Sequence, residues 1–219
     1  MRLLFFLLLL FSTAEAGEIV DTITVSRSVL PDVYVVPLTV KVRALSEESV
    51  LKVLGTVDTY LRELKLPYDG GNYVVRERRE WNPVKKRYVF EGFEGSAYYV
   101  FKLKEVSRQS EILKALKRAK EQVDFRYSVS SPHWEISKLL RQQVTAVLKK
   151  EILIKAKSEA GDFGKLLGKS CSVEFVGFQP RRLPFPIVKS AVRAESIAPE
   201  PPKREREITL RAEVKFKCR

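Results

Sequence analysis

The stretch that decides the fold is WEISKLLRQQVTAVLKKEILIKAKSEAGDFGKLLGKSCSVEFVGF, residues 134–178. Apolar side chains recur at Ile136, Leu140, Val144, Val147, Ile152, Ala156, Ala160, Phe163 and Leu167, in steps of mostly three and four. That period keeps one face of a helix buried, so the spacing predicts one long amphipathic helix from Trp134. Lys138, Arg141, Lys149, Lys150, Lys155 and Lys157 fall largely off the stripe. Gly164 and Gly168 interrupt the period, as residues that tolerate positive φ and close a helix do. Ser172 to Phe178 then reads as a short strand through Val173, Phe175 and Phe178.

Upstream, Ile19 to Val42 is rich in valine, isoleucine and threonine, which predicts strands over 23–30 and 34–43, joined or kinked at Pro31-Asp32. Ser46 has the chemistry of a helix cap, with Glu47 and Glu48 where the helix dipole favours negative charge. Val50, Leu51, Val53, Leu54, Val57, Tyr60, Leu61 and Leu64 trace the stripe of that helix until Pro67, and Asp69-Gly70-Gly71 is expected to turn the chain. From Tyr73 to Leu103 the pattern is β, with a turn at Asn82-Pro83 and a bulge or bend at Gly92 and Gly95. A second helix opens at Ser107 or Ser110 and carries Ile112, Leu113, Leu116, Ala119 and Val123 inward. A strand follows over 125–129. Strand, helix, strand thus occurs twice, around 34–80 and 97–130.

Ile208 to Phe216 alternates apolar and charged residues, the signature of a half-buried antiparallel strand. Between 179 and 207 lie six of the eleven prolines, with Arg181, Arg182, Lys203, Arg204 and Arg206. That composition cannot make a sheet interior; it is either an arm gripping a neighbouring subunit or a plain long loop. The sum is an α+β fold: a mainly antiparallel sheet with two shorter helices and one long helix packed on it, as a single domain over 17–219.

The run Lys155 to Lys169 resembles the helix end of the SIMPL-domain family (DUF541), in which the pattern K-A-x-A-L-A-x-x-L-G-x-x-L-G-K is similar and aligns without gaps. Glu159 stands where that family usually has an apolar residue. The resemblance extends to Ile23-Thr24-Val25-Ser26 and Pro31-Asp32, although Arg27 replaces a usual glycine. It continues through Gly92-Phe93-Glu94-Gly95-Ser96 to Val106, and to Ser131-Pro132 ahead of the long helix. Members include periplasmic oxidative-stress defence proteins and an immunodominant Brucella antigen. The resemblance implies an exported protein that self-assembles into rings or channel-like oligomers, linked to oxidative-stress tolerance, with no established catalytic activity.

The first residues carry a compatible address. Arg2, the greasy run Leu3 to Phe11 and the small-x-small Ala14-Glu15-Ala16 read as a cleaved signal peptide over 1–16. Nine apolar residues are too few for a helix to cross about 30 Å of hydrocarbon. A retained N-terminal anchor is the other reading. A periplasmic or secreted location is the expectation. Losing 1–16 removes one basic and one acidic residue, so the formal charge stays +13. Such an excess favours anionic partners, or a solvated Lys- and Glu-rich surface with asparagine only at 72 and 82.

Cys171 and Cys218 are the two cysteines, and an oxidising compartment permits a disulfide between them; two separate buried thiols are the alternative. No C-x-x-C occurs, so thiol–disulfide catalysis is not expected. His133 is the sole histidine, which leaves a zinc site or a Ser-His-Asp arrangement with little to build on. Neither phosphate-binding glycine motif is present. No catalytic residue, metal, cofactor or small-molecule substrate is therefore expected.

The most basic aromatic segment is Arg76, Arg78, Arg79, Trp81, Lys85, Lys86 and Arg87, with Tyr88. It could be a solvated hairpin, a contact to anionic lipid, envelope polymer or a subunit, or, least in keeping with export, a single-strand nucleic-acid binder. The functional expectation is a non-enzymatic, self-associating envelope protein, a homo-oligomer formed through β edges and the proline-rich arm. The rival is a module that binds polyanions or a membrane surface through the basic hairpin, and an enzyme of unknown chemistry stands third.

Overall fold

A computed structural model describes residues 17–178 and 201–219. In chain order the elements are β1 (Gly17–Val29), β2 (Val33–Ala44), α1 (Glu47–Glu63), β3 (Tyr68–Asn82), β4 (Arg87–Leu103) and α2 (Gln109–Lys120). They continue with β5 (Arg126–Val129), β6 (His133–Glu135), α3 (Lys138–Leu167), β7 (Cys171–Phe178) and β8 (Arg206–Cys218). The class is α+β, as the sequence implied. The stretch 1–16, expected to be a signal peptide, and most of the proline-rich 179–207 lie outside the described residues.

The strands form two sheets rather than one that all three helices share: β1-β8-β7 and β3-β4-β2-β5, the latter with β6 beside β2. Each sheet has its own apolar core. Period-two patterning tells which face of a strand is buried but not which sheet it joins, so the single-sheet expectation had no means of separating β8 from β2.

The described residues divide into two compact units, one of 30–140 and 201–206 and the other of 17–29, 141–178 and 207–219. In the first, β2-α1-β3 and β4-α2-β5 are the two halves of a split β-α-β arrangement, all neighbours antiparallel. β2 lies centrally, with Val36, Leu38, Val40 and Val42 buried beneath the helices. Ser46 caps α1 from an extended conformation, its side chain accepting from the Ser49 N–H at 3.2 Å. Val50, Leu54, Val57 and Leu61 all point into the core. Gly95 of β4 makes that contact possible: a Cβ there would stand 2.2 Å from Val50 Cγ1.

Three local readings need correction in this unit. Asp69-Gly70-Gly71 does not end a segment but lies inside β3, where two positive-φ glycines form a bulge. Leu113 faces outward, and Ala115 takes its place with Ile112, Leu116 and Ala119. The long helix begins at Lys138 rather than Trp134, because His133–Glu135 pairs with β2 and the Trp134 ring packs 5.3 Å from Tyr34. Asp32 Oδ1 then accepts from the Ser137 N–H at 2.7 Å, and Ser137 Oγ from the Leu140 N–H at 3.0 Å. Lys203, at the described end of the proline-rich segment, sits 4.4 Å over the Trp134 ring.

The other unit packs α3, from Arg141 onward, on the three-stranded sheet. Its core is Ile23, Ile152, Ala156, Ala160, Ala212, Val214 and Phe216, with Phe163 edge-on to Phe216 at 5.2 Å. The buried row of α3 is Val144, Leu148, Ile152, Ala156 and Ala160, a strict step of four. Val147 and Leu167, expected inward, are exposed. Gly164 does not break the helix; its missing Cβ leaves room for the Lys169 carbonyl, and the Lys169 N–H closes the end on the Gly164 carbonyl at 3.1 Å. Gly168 supplies the positive φ that ends α3.

β7 and β8 run antiparallel with Cys171 directly opposite Cys218, and a disulfide joins them. The backbones of Ser170 and Arg219 pair just beyond it.

Candidate functional site: the basic hairpin

The feature with the most unassigned chemistry is the long hairpin of β3 and β4. Its turn follows from Asn82, whose Oδ1 accepts from the Val84 and Lys85 N–H groups at 3.0 and 2.9 Å. Pro83 fixes φ for the bend, and Lys86 takes a positive φ of 46°. Trp81 and Tyr88 are register partners across the strands, rings 5.4 Å apart and edge to face.

A bulge at Glu91-Gly92 then shifts the register, so that Glu77 opposes Phe93 but Arg79 opposes Phe90. Gly92 has φ 104°, and a Cβ would come within 2.5 Å of the Ala44 carbonyl. The extra residue flips β4 and brings Phe90 onto the face of Phe93, ring centroids 5.4 Å apart. Phe93, Phe90, Tyr88 and Trp81 therefore form one row along the hairpin. Trp81, Tyr88 and Phe90 stay roughly half or more exposed.

The charges divide into two groups. Arg79 bonds Glu77 at 2.8 Å, Arg78 pairs with Glu80, and Arg43 of β2 pairs with Glu94 at 2.7 Å. The Arg43 hydrogen bond, working against partial desolvation, holds the Glu94 carboxyl below its ordinary range. Among the described residues, Arg76, Lys85, Lys86 and Arg87 form no ion pair. Val74 and Ser96, with Arg76, Arg78 and Arg79 and the acids Glu77, Glu80 and Glu94, line a shallow depression of about 510 Å³. It is polar, open and already largely charge-balanced.

The seven basic-hairpin residues named from the sequence thus lie along one hairpin, Arg76, Arg78, Arg79 and Trp81 on β3, Lys85 and Lys86 in the turn and Arg87 on β4, with Arg78 and Arg79 neutralised where they stand. The signal was legible: Glu77/Arg79 and Arg78/Glu80 are both two apart, hence on one face of a strand. The aromatic row was not, because the bulge inverts the side on which Phe90 projects.

His133 engages the Ser131 carbonyl through Nδ1 and Glu135 through Nε2. Tyr99 donates to Asp58 at 3.3 Å inside the core, and burial above all pushes its phenol up. Among the described residues no group of three His, Cys, Asp or Glu could hold a metal, and no helix is long and apolar enough to cross a membrane.

A de novo designed protein, Foldit4, is similar at 12% identity over 46% of this chain and 99% of its own, with a TM-score of 0.25. An unknown protein from Galdieria sulphuraria is similar at 10% identity, covering 84% of this chain and 82% of its own, with a TM-score of 0.28. Neither likeness bears on function. No curated protein matches the chain. A family model, SIMPL, described as a protein of unknown function (DUF541), matches residues 21–217. With nearly its whole length so matched, this chain belongs to the SIMPL family.

Proposed function

We propose that this chain is a non-enzymatic, exported envelope protein that works by associating with copies of itself, in the manner the SIMPL resemblance implies, including a contribution to oxidative-stress tolerance. The observation that supports this best is the outer side of α3. Opposite its buried row, Ile154 is 71% exposed, with Leu153 and Val147 also open to solvent. A helix apolar on two sides has a second surface to cover. Phe175 on the edge strand β7 is half exposed as well, and an uncovered edge is a template for another chain.

Size-exclusion chromatography with light scattering tests the reading. The chain at micromolar concentration runs as a discrete oligomer in low and high salt alike, and Ile154→Lys with Leu153→Lys shifts it to monomer. A strict monomer throughout overturns the proposal.

A second reading has its own support, the four cations of the hairpin that lack an ion-pair partner. On that reading the protein docks on polyanions or on a membrane surface through the hairpin. Its binding falls steeply with salt, which apolar association does not.

A further inference from the structure

The apex of the hairpin combines features that a hydrated polyanion would not use. Val84 is 89% exposed at the turn, between Pro83 and Lys85. Trp81 and Tyr88 stand behind it, one on each strand, locked edge to face and open to solvent. Phe90 continues the apolar row toward the sheet. Lys85, Lys86 and Arg87 surround this apex with no ion pair, while the nearby acids Glu77 and Glu80 are already engaged by Arg79 and Arg78. Among the described residues Glu91, at the bulge of β4, forms no ion pair.

Each part has a physical counterpart in a lipid interface. Trp and Tyr rings are amphipathic and settle at headgroup depth. Lysine and arginine stems lie along apolar surface while their charges stay with water and phosphate. A short apolar tip gains nothing from a soluble polymer but is buried by a bilayer boundary. From charge complementarity and the order of side chains along the apex, we propose that the tip of the β3–β4 hairpin is an interfacial anchor for an anionic lipid bilayer. Val84, Trp81 and Tyr88 enter the headgroup boundary, and Lys85, Lys86 and Arg87 hold lipid phosphates. This rests on the second functional reading and narrows it from any polyanion to a bilayer.

The test uses the full chain with vesicles of phosphatidylglycerol and phosphatidylcholine in equal parts, against phosphatidylcholine alone, both with brominated acyl chains. Soluble polyphosphate is the second probe. Trp81 reports depth, because Trp134 is buried in the core. The anchor predicts pelleting with the anionic vesicles and bromine quenching of Trp81 fluorescence. Lys85→Gln with Lys86→Gln lowers vesicle affinity about 25-fold, at roughly 1 kcal/mol for each charge. Val84→Asp, at a turn position that no core packing depends on, lowers vesicle binding and leaves polyphosphate binding unchanged. Trp81→Ala with Tyr88→Ala does the same.

If polyphosphate and anionic vesicles bind equally, without quenching and without sensitivity to Val84→Asp, the anchor is overturned and plain polyanion binding stands. If neither probe binds, both fall.

Discussion

Glu159 occupies a turn of α3 where its neighbours Ala156 and Ala160 are fully packed, and one of its carboxylate oxygens is buried without a partner. Burial is the main cause that pushes its pKa above the ordinary value, with Asp21 of β1 adding repulsion and Lys155 relieving part of it. A carboxyl with a raised folded pKa favours the native state in acid, and that contribution is lost as pH rises through the folded value. Glu159→Gln is therefore expected to stabilise the protein at pH 7 by about 0.5–1 kcal/mol, with the advantage shrinking toward pH 4 in urea titrations. Asp32 behaves oppositely. Its hydrogen bonds from Ser137 outweigh the rise that desolvation would cause and hold its pKa low. Asp32→Ala should lower the thermal midpoint at pH 7, and the gap to the wild type should close as pH falls through the native Asp32 pKa. Gly95 is the third residue of this kind. Gly95→Ala drives a methyl into Val50, so a loss of about 1–3 kcal/mol is expected by chemical denaturation.

Elements were legible where the cue is local. Ser46 and the two glutamates after it mark the start of α1, and the alternation from Ile208 to Phe216 marks β8. Where a partner decides, the sequence falls short. Trp134 looks like the first apolar residue of a helix, yet pairing of His133–Glu135 with β2 claims it for a strand. Gly164 looks like a stop, but it is the residue that lets the last turn of α3 close on Lys169. The bulge at Gly92 hid the aromatic row of the hairpin for a similar reason: one extra residue inverts every side chain beyond it. At this scale the cystine between β7 and β8 closes a loop with a sequence separation of 47. Its reduction is expected to destabilise the folded state by about 4 kcal/mol in the loop-entropy model, measured by urea unfolding with and without reductant.

For the whole molecule, the sequence showed how much apolar surface must be buried but not that the burial is divided between two sheets. The small three-stranded sheet draws on both ends of the described chain, with the last strand, β8, in the middle between β1 and β7. Everything from Leu30 to Leu140 intervenes between β1 and the segment that covers it. The proposed association meets a parallel limit, since it depends on what the outer side of α3 meets. The Ile154 and Leu153 substitutions are the measurement at this scale, with oligomer mass as the readout.

That central place of β8 has a consequence for biogenesis. While the polypeptide is still being synthesised, β1 has emerged but its neighbour β8 has not. β1 therefore has only water for its backbone groups until β8 has been made. The inserted β-α-β unit can finish meanwhile, since its strands pair among themselves. A chain lacking β8 would thus leave both β1 and β7 without their partner, a half-built sheet whose open edges invite chaperones or proteases.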